Sequence, residues 1–217
     1  DHFSYIPDER TFAVKDGTDY VYMTSNNTIH GTEWKTFPHF DVPLICDMSS
    51  DFLSRPVDVS NFDYIYAGVQ KNVGPAGVVV GIIKDNMLQK AREDLPAMLS
   101  YRTFVEHDST YNTPPVFCIY FVNRVLHWIE NQGGLQAIQK RNEKKAAIVY
   151  DAIDRSQGFY TGHAAKDSRS FMNVTFNLDN ADLEKEFVAA GAKRNLIGIK
   201  GHRSLGGCRA SIYNAVT

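Results

Sequence analysis

Residues 44–84 read LICDMSSDFLSRPVDVSNFDYIYAGVQKNVGPAGVVVGIIK. Two short apolar runs, Leu44–Cys46 and Tyr64–Ala67, each end on a polar residue or a turn, and a third, Val78–Ile83, follows. Short apolar runs bounded by Gly, Pro, Ser and Asp predict buried strands of an α/β sheet. Asp47 closes the first run, and Gln70 and Lys71 follow the second. Open α/β sheets gather ligands at the carboxyl ends of their strands. Asp47 and Lys71 are therefore expected to face one pocket, although they stand far apart in sequence.

Lys71 lies in a loop too rich in Gly and Pro to be a helix. Glycine allows positive φ and lets the backbone approach a ligand closely. A lysine held in an apolar pocket has a depressed pKa, so its neutral amine is a nucleophile toward an aldehyde. A buried carboxylate is the complementary tool, because it holds positive charge on a heteroaromatic nitrogen. Pyridoxal phosphate chemistry requires these two protein groups. The same spacing also describes a surface lysine in a hairpin loop and an aspartate capping a turn, and spacing alone favours that plainer alternative.

Four stretches carry a resemblance that separates the two. AGVQKNVGPAG closely resembles the cofactor-lysine segment of the phosphoserine aminotransferases, class-V aminotransferases among the fold-type-I pyridoxal-phosphate enzymes. DMSSDFLSRPVDVS resembles the same family's aspartate segment, and YNTPP at 111–115 and GHRSLGGCRASIYNA at 201–215 continue the likeness. The four stand in the family's order and close to its spacing.

The resemblance implies an α/β fold, with a mostly parallel sheet in a large domain that is only partly present. A small C-terminal α+β domain follows. The expected division is 1–132 and 133–217, near the Gly133-Gly134 break. It implies pyridoxal 5'-phosphate as cofactor, Lys71 as the catalytic lysine joined to it and Asp47 on its ring nitrogen. Gln70 is expected near its phosphate and Thr28 beside the ring. Thr28 lies in NNTIHG, where Asn27 replaces the family's usual glutamate. Asn112 and Thr113 are expected to reach the cofactor phosphate of the other subunit of a homodimer. Arg209 would hold the substrate carboxylate, and His202 and Arg203 the phosphate of phosphoserine in the partner's site. The implied reaction is transamination between phosphoserine with 3-phosphohydroxypyruvate and glutamate with 2-oxoglutarate, in serine biosynthesis. The alternatives are a related aminotransferase acting on a phosphorylated hydroxythreonine, or an incomplete piece with only an interaction role.

Composition sets the outer bounds. The chain has 217 residues, 43% hydrophobic and 22% charged, as in an ordinary globular protein. A net charge of −2 supplies no basic field for nucleic acid or an anionic membrane. No apolar run is long enough for a membrane span. The three scattered cysteines have no metal-ligand spacing and fit a reduced, cytoplasmic setting. Gly-x-Ser-x-Gly and Gly-Lys-Ser/Thr motifs are missing, which argues against a serine hydrolase and a P-loop enzyme. The opening DHFSYIPDERTF and the stop at Thr217 read as cut ends, with a large preceding part and a short final helix expected beyond them.

The remaining pattern predicts further elements. Residues 20–25 read as a strand. Asp85–Leu95 reads as a helix ended by Pro96, and 97–113 as a loop. Thr113 is a candidate helix cap with Pro114 at the first helical position, opening a buried helix over 114–131. A helix over 135–154 is expected to bury Leu135, Ile138, Ile148, Val149 and Ile153, with Lys140, Arg141, Lys144 and Lys145 on a solvated face. Ser170–Leu178 alternates as a half-buried strand, Ala181–Ala190 is helical with Gly191 closing it, and Leu196–Ile199 and Cys208–Tyr213 read as strands. Arg55 and Asp58 read as loop ion partners of little energetic weight. His30 and Trp34 read as packing residues.

Overall fold

The computed structural model describes residues 2–217. The quoted stretch forms the centre of a four-stranded sheet. Strands β1 (Val21–Thr24), β4 (Leu44–Asp47), β5 (Tyr64–Gly68) and β6 (Val79–Ile83) lie in the order β1-β4-β5-β6. The first three are parallel, and β6 returns antiparallel to β5. A two-residue hairpin, β2 (Asn26–Asn27) with β3 (Thr32–Glu33), follows β1.

Side chains alternate across the sheet. Met23, Leu44, Cys46 and Ile65 share one face, which is buried under Trp34, Phe37, Phe40, Phe52 and Phe62 of the connecting segments. Tyr22, Tyr64, Tyr66 and Asp47 share the other, because the register pairs Tyr64 with Ile45 and Tyr66 with Asp47.

A second sheet, β7 (Thr161–Gly162), β8 (Asn173–Asn177) and β9 (Cys208–Ser211), is antiparallel throughout. The long helix α4 (Gly134–Asp154) packs Ala146, Tyr150 and Ile153 on it, and α5 (Ala181–Ala192) adds Leu183 and Phe187. Strand β8 is buried on both faces, not half-buried. Val174 and Phe176 face α4, while Asn173 and Thr175 meet the loop after β2.

Two polar joints fasten the sheets together. Asn26 Nδ2 donates to Asn173 Oδ1 at 2.9 Å and to Ser50 Oγ at 2.8 Å. Asn142 Nδ2 donates to Ser54 O at 2.9 Å and to Asn214 Oδ1 at 2.8 Å. All of these residues are buried, where unpaired polar groups are costly.

Several local expectations are corrected. Helix α1 spans only Asp85–Gln89. Arg92 and Asp94 pair with each other two residues apart, a spacing at which helical side chains do not meet. The segment expected to be a loop contains α2 (Tyr101–Glu106), whose Tyr101 hydroxyl accepts from Tyr64 of β5 at 2.8 Å. Helix α3 is Val116–Asn131 and begins after both prolines. A residue before proline is driven from helical backbone, so Pro114 cannot open the helix and Thr113 does not cap it.

The first half of α3 is exposed, with Phe117 70% and Tyr120 59% accessible, because among the described residues little packs on that face. In α4 the buried positions are Ile138, Asn142, Ala146, Tyr150 and Ile153, whereas Ile148 points outward. Lys145 leaves its expected solvated face to donate to the carbonyls of Ile212 and Tyr213. Gly191 lies inside α5. Leu196–Ile199 is not a strand, since Asn195 and Gly198 adopt left-handed backbone on either side of the run's centre.

Candidate active site

The site is built at the carboxyl ends of β1, β4 and β5. Beyond Gly68 the chain enters a tight helical turn, in which Val73 and Gly74 both donate to Val69 O at 2.9 Å. This turn lifts Lys71 off the strand and back across the sheet. Its Nζ donates to Thr28 Oγ1 at 2.9 Å, although 43 positions separate the two residues. Thr28 is presented by an Asx turn, with Asn27 Oδ1 accepting from Ile29 N at 3.0 Å and His30 N at 3.1 Å. That bond gives Asn27 a local task, and the threonine keeps its position.

Arg209 enters from β9, and its Nη1 donates to Thr28 O at 3.1 Å. Thr28 therefore carries Lys71 on its hydroxyl and Arg209 on its carbonyl. The Arg209 Nε is buried without a hydrogen-bond partner among the described residues. A buried donor lacking a partner suits an anionic ligand.

Burial is the largest influence on Lys71 and pushes its amine below the usual lysine range. Asp47 opposes this and the Arg209 charge reinforces it. Asp47 is partly buried, with Oδ1 accepting from Ser49 N at 2.8 Å and Oδ2 from the Tyr66 hydroxyl at 3.0 Å. Lys71 and Arg209 thus converge on Thr28, and the Asp47 carboxylate stands near enough to act on the Lys71 amine by charge.

The other expected residues stand differently. Gln70 is exposed and folds its amide back over Gly68, where even an added Cβ would lie 2.7 Å from the amide oxygen. His202 sits in a clasped loop, with Gly201 N donating to Gly207 O at 2.8 Å, and its charge reaches His30. Arg203 is exposed. Asn112 and Thr113 are also exposed, and Asn112 Nδ2 donates to Thr113 O. None of these contacts joins Asn112, Thr113 or Arg203 to the Lys71 cluster.

Sequence reasoning missed Tyr66, Ser49 and Tyr22 beside Asp47. The signal was the strand alternation itself, which puts Tyr66 level with Asp47 on one face. It also read His30 as packing alone. His30 is half-buried, lies 5.5 Å from the ring of His163, and is held below the usual histidine range by burial and by the charges of His163 and His202.

Arg55 does not pair with Asp58, which instead caps the 3-10 turn at Val59–Asn61. Arg55 is largely enclosed between buried Glu33 at 3.4 Å and buried Asp51 at 3.9 Å, and donates to Trp34 O at 2.6 Å. The pairing follows from the hairpin β2–β3, which returns Glu33 under the sheet.

A lysine turned back from the end of a parallel strand, with an aspartate on the neighbouring strand, fits the pyridoxal-phosphate transferases of fold type I, the fold of the solved structures this chain resembles. The chain belongs to the class-V aminotransferase family, whose model it matches over residues 2–217. It is 55% identical over its whole length to the phosphoserine aminotransferase of Bacillus subtilis and covers 60% of that protein. Among solved structures it resembles the phosphoserine aminotransferase of Bacillus circulans subsp. alkalophilus, at 52% identity and a TM-score of 0.96, over 99% of this chain and 60% of that one. The pyridoxal-phosphate-bound enzyme of Trichomonas vaginalis aligns with a TM-score of 0.93 at 40% identity, over 99% of this chain and 61% of that one. The chain thus spans about 60% of the length of the relatives it matches.

Proposed function

We propose that the protein carrying this chain is a pyridoxal-phosphate-dependent transaminase acting on phosphoserine and 3-phosphohydroxypyruvate, with glutamate and 2-oxoglutarate as the second pair. The observation that carries the reading is the convergence of Lys71 and Arg209 on Thr28, with Asp47 near enough to act on the Lys71 amine. The donor set fits the cofactor. Lys71 offers an amine that burial holds below the usual lysine range, Asp47 a carboxylate, and Arg209 a buried donor without a partner among the described residues. When bound, pyridoxal phosphate supplies an aldehyde that condenses with amines and a ring that accepts the electrons left at Cα.

Lys71 would hold the cofactor through its amine and, when free, would move the proton at the substrate Cα as general base and acid. Thr28 holds the Lys71 Nζ in reach. Asp47 keeps positive charge on the ring nitrogen. Arg209 receives the substrate carboxylate, for which a guanidinium provides two parallel donors.

Gln70 completes the phosphate contacts after its side chain turns inward. Asn112 and Thr113, exposed here, serve the partner subunit's cofactor phosphate in a homodimer. His202 and Arg203 hold the substrate phosphate there. The division of the chain falls near Gly133, where positive φ separates α3 from α4. Free Cys46, Cys118 and Cys208 support a reducing, cytoplasmic setting, and the role in serine biosynthesis follows from the proposed substrates alone.

The test is an absorbance titration of the full-length protein with pyridoxal phosphate, then with phosphoserine or serine. A visible band that phosphoserine bleaches and serine barely changes supports the cofactor and the substrate. A band with equal response to both removes the phosphate specificity. Lys71→Ala is expected to abolish turnover, and substantial remaining transamination refutes the assignment.

A further inference from the structure

Asp47 is held from two sides. The backbone amide of Ser49 fixes Oδ1 at 2.8 Å, and the Tyr66 hydroxyl donates to Oδ2 at 3.0 Å. The Tyr66 oxygen lies 2.9 Å from the hydroxyl of Tyr22, so a chain of two phenols ends on the carboxylate. The three side chains come from neighbouring parallel strands. Asp47 stands level with Tyr66 on β5 and with Thr24 on β1, two residues after Tyr22. Alternation places them all on one face.

We propose that Tyr66, backed by Tyr22, is a positioning residue that fixes the Asp47 carboxylate for the ring nitrogen of the cofactor. The inference rests on the function proposed above. With Ser49 alone, the carboxylate is tied at one oxygen and can swing about its Cβ–Cγ bond. The second donor removes that freedom. The Tyr66 phenol suits the task, because burial and its bonds to Tyr22 and Asp47 push its pKa far up, so it stays a neutral donor across the working range. A neighbouring pair supplies an internal control. Tyr64 lies on the same face of β5, but its hydroxyl donates to Tyr101 at 2.8 Å and not to Asp47.

The experiment uses the full-length protein loaded with pyridoxal phosphate labelled with 15N in its ring. Tyr66→Phe is expected to weaken cofactor binding roughly tenfold or more, the effect of losing one hydrogen bond to a charged group. At fixed pH its ring-nitrogen resonance is expected to move toward the unprotonated position. Tyr22→Phe is expected to move it in the same direction by less, and Tyr64→Phe to leave it in place. A Tyr66→Phe resonance that stays at the wild-type position, or moves further toward the protonated one, overturns the inference. So does an equal movement in Tyr64→Phe, which would mark a general loosening of the sheet face. Wild-type protein that fails to load would overturn the functional reading itself, and the inference with it.

Discussion

Replacing Arg55 by Ala tests the largest departure from the sequence reading. Its side chain is 10% accessible and stands between Glu33, fully buried, and Asp51, 3% accessible. It also donates to Trp34 O at 2.6 Å and lies over the Phe37 ring. Lys35, 3.3 Å from Glu33, would remain as the nearest cation to the two acids. Removing one partner of a buried ion pair costs about 3–5 kcal/mol, because the other charge is left uncompensated. A loop pair in solvent would cost about 0–1 kcal/mol. The assay is urea unfolding of the full-length protein at pH 8, followed by tryptophan fluorescence and compared with Asp58→Ala. A loss below about 1 kcal/mol for Arg55→Ala, or an equal loss for Asp58→Ala, refutes the buried cluster. Adding Glu33→Gln to Arg55→Ala is expected to recover part of the loss, since the stranded charge is then gone.

Three further outcomes follow from the same structure. Burial, reinforced by Glu33, raises the Asp51 carboxyl to about 7, against the pull of Ser25 and Arg55. An acid with a raised folded pKa stabilises fully below its unfolded value of 3.8 and loses that contribution as pH rises through about 7. Urea midpoints measured at pH 5 and pH 8 should therefore differ less in Asp51→Asn than in the wild type. Asn142→Leu strands Ser54 O and Asn214 Oδ1 in the core and should cost about 2–4 kcal/mol in the same unfolding assay. Arg209→Lys keeps the charge but loses the fork, so the KM for the amino-acid substrate should rise roughly tenfold or more, with a smaller change in kcat.

Joining the sheets by buried asparagines has a consequence for the site. Thr28 hangs from the loop whose base, Asn26, is bonded to Asn173 of the second sheet. Arg209 comes from β9, paired directly with β8. The polar joint therefore fixes the distance between Lys71, on the first sheet, and Arg209, on the second. Hydrogen bonds suit this work better than apolar contact, because they lose strength steeply with a small displacement or tilt.

The sequence alone determined the strands β1, β4, β5 and β6 and the helices α3 and α4. These depend on neighbours within a few residues: apolar runs of strand length, glycine and proline punctuation, helical periodicity. The class of chemistry came from the resemblance of four stretches to an aminotransferase family, since the spacing of Asp47, at the end of β4, and Lys71, after β5, is equally that of a capping aspartate and a surface lysine. Tertiary structure decided what those residues touch. Arg55 has Asp58 close in sequence, yet the β2–β3 hairpin brings Glu33 to it from 22 positions away. Tyr66 reads as one more core aromatic until the register sets its hydroxyl on Asp47. The apolar first half of α3 reads as buried, but burial depends on which surfaces arrive from elsewhere, and composition does not carry that. Local propensity acts through one turn of chain, whereas an ion pair or hydrogen bond needs an approach of a few ångströms that only the folded path of the whole chain supplies.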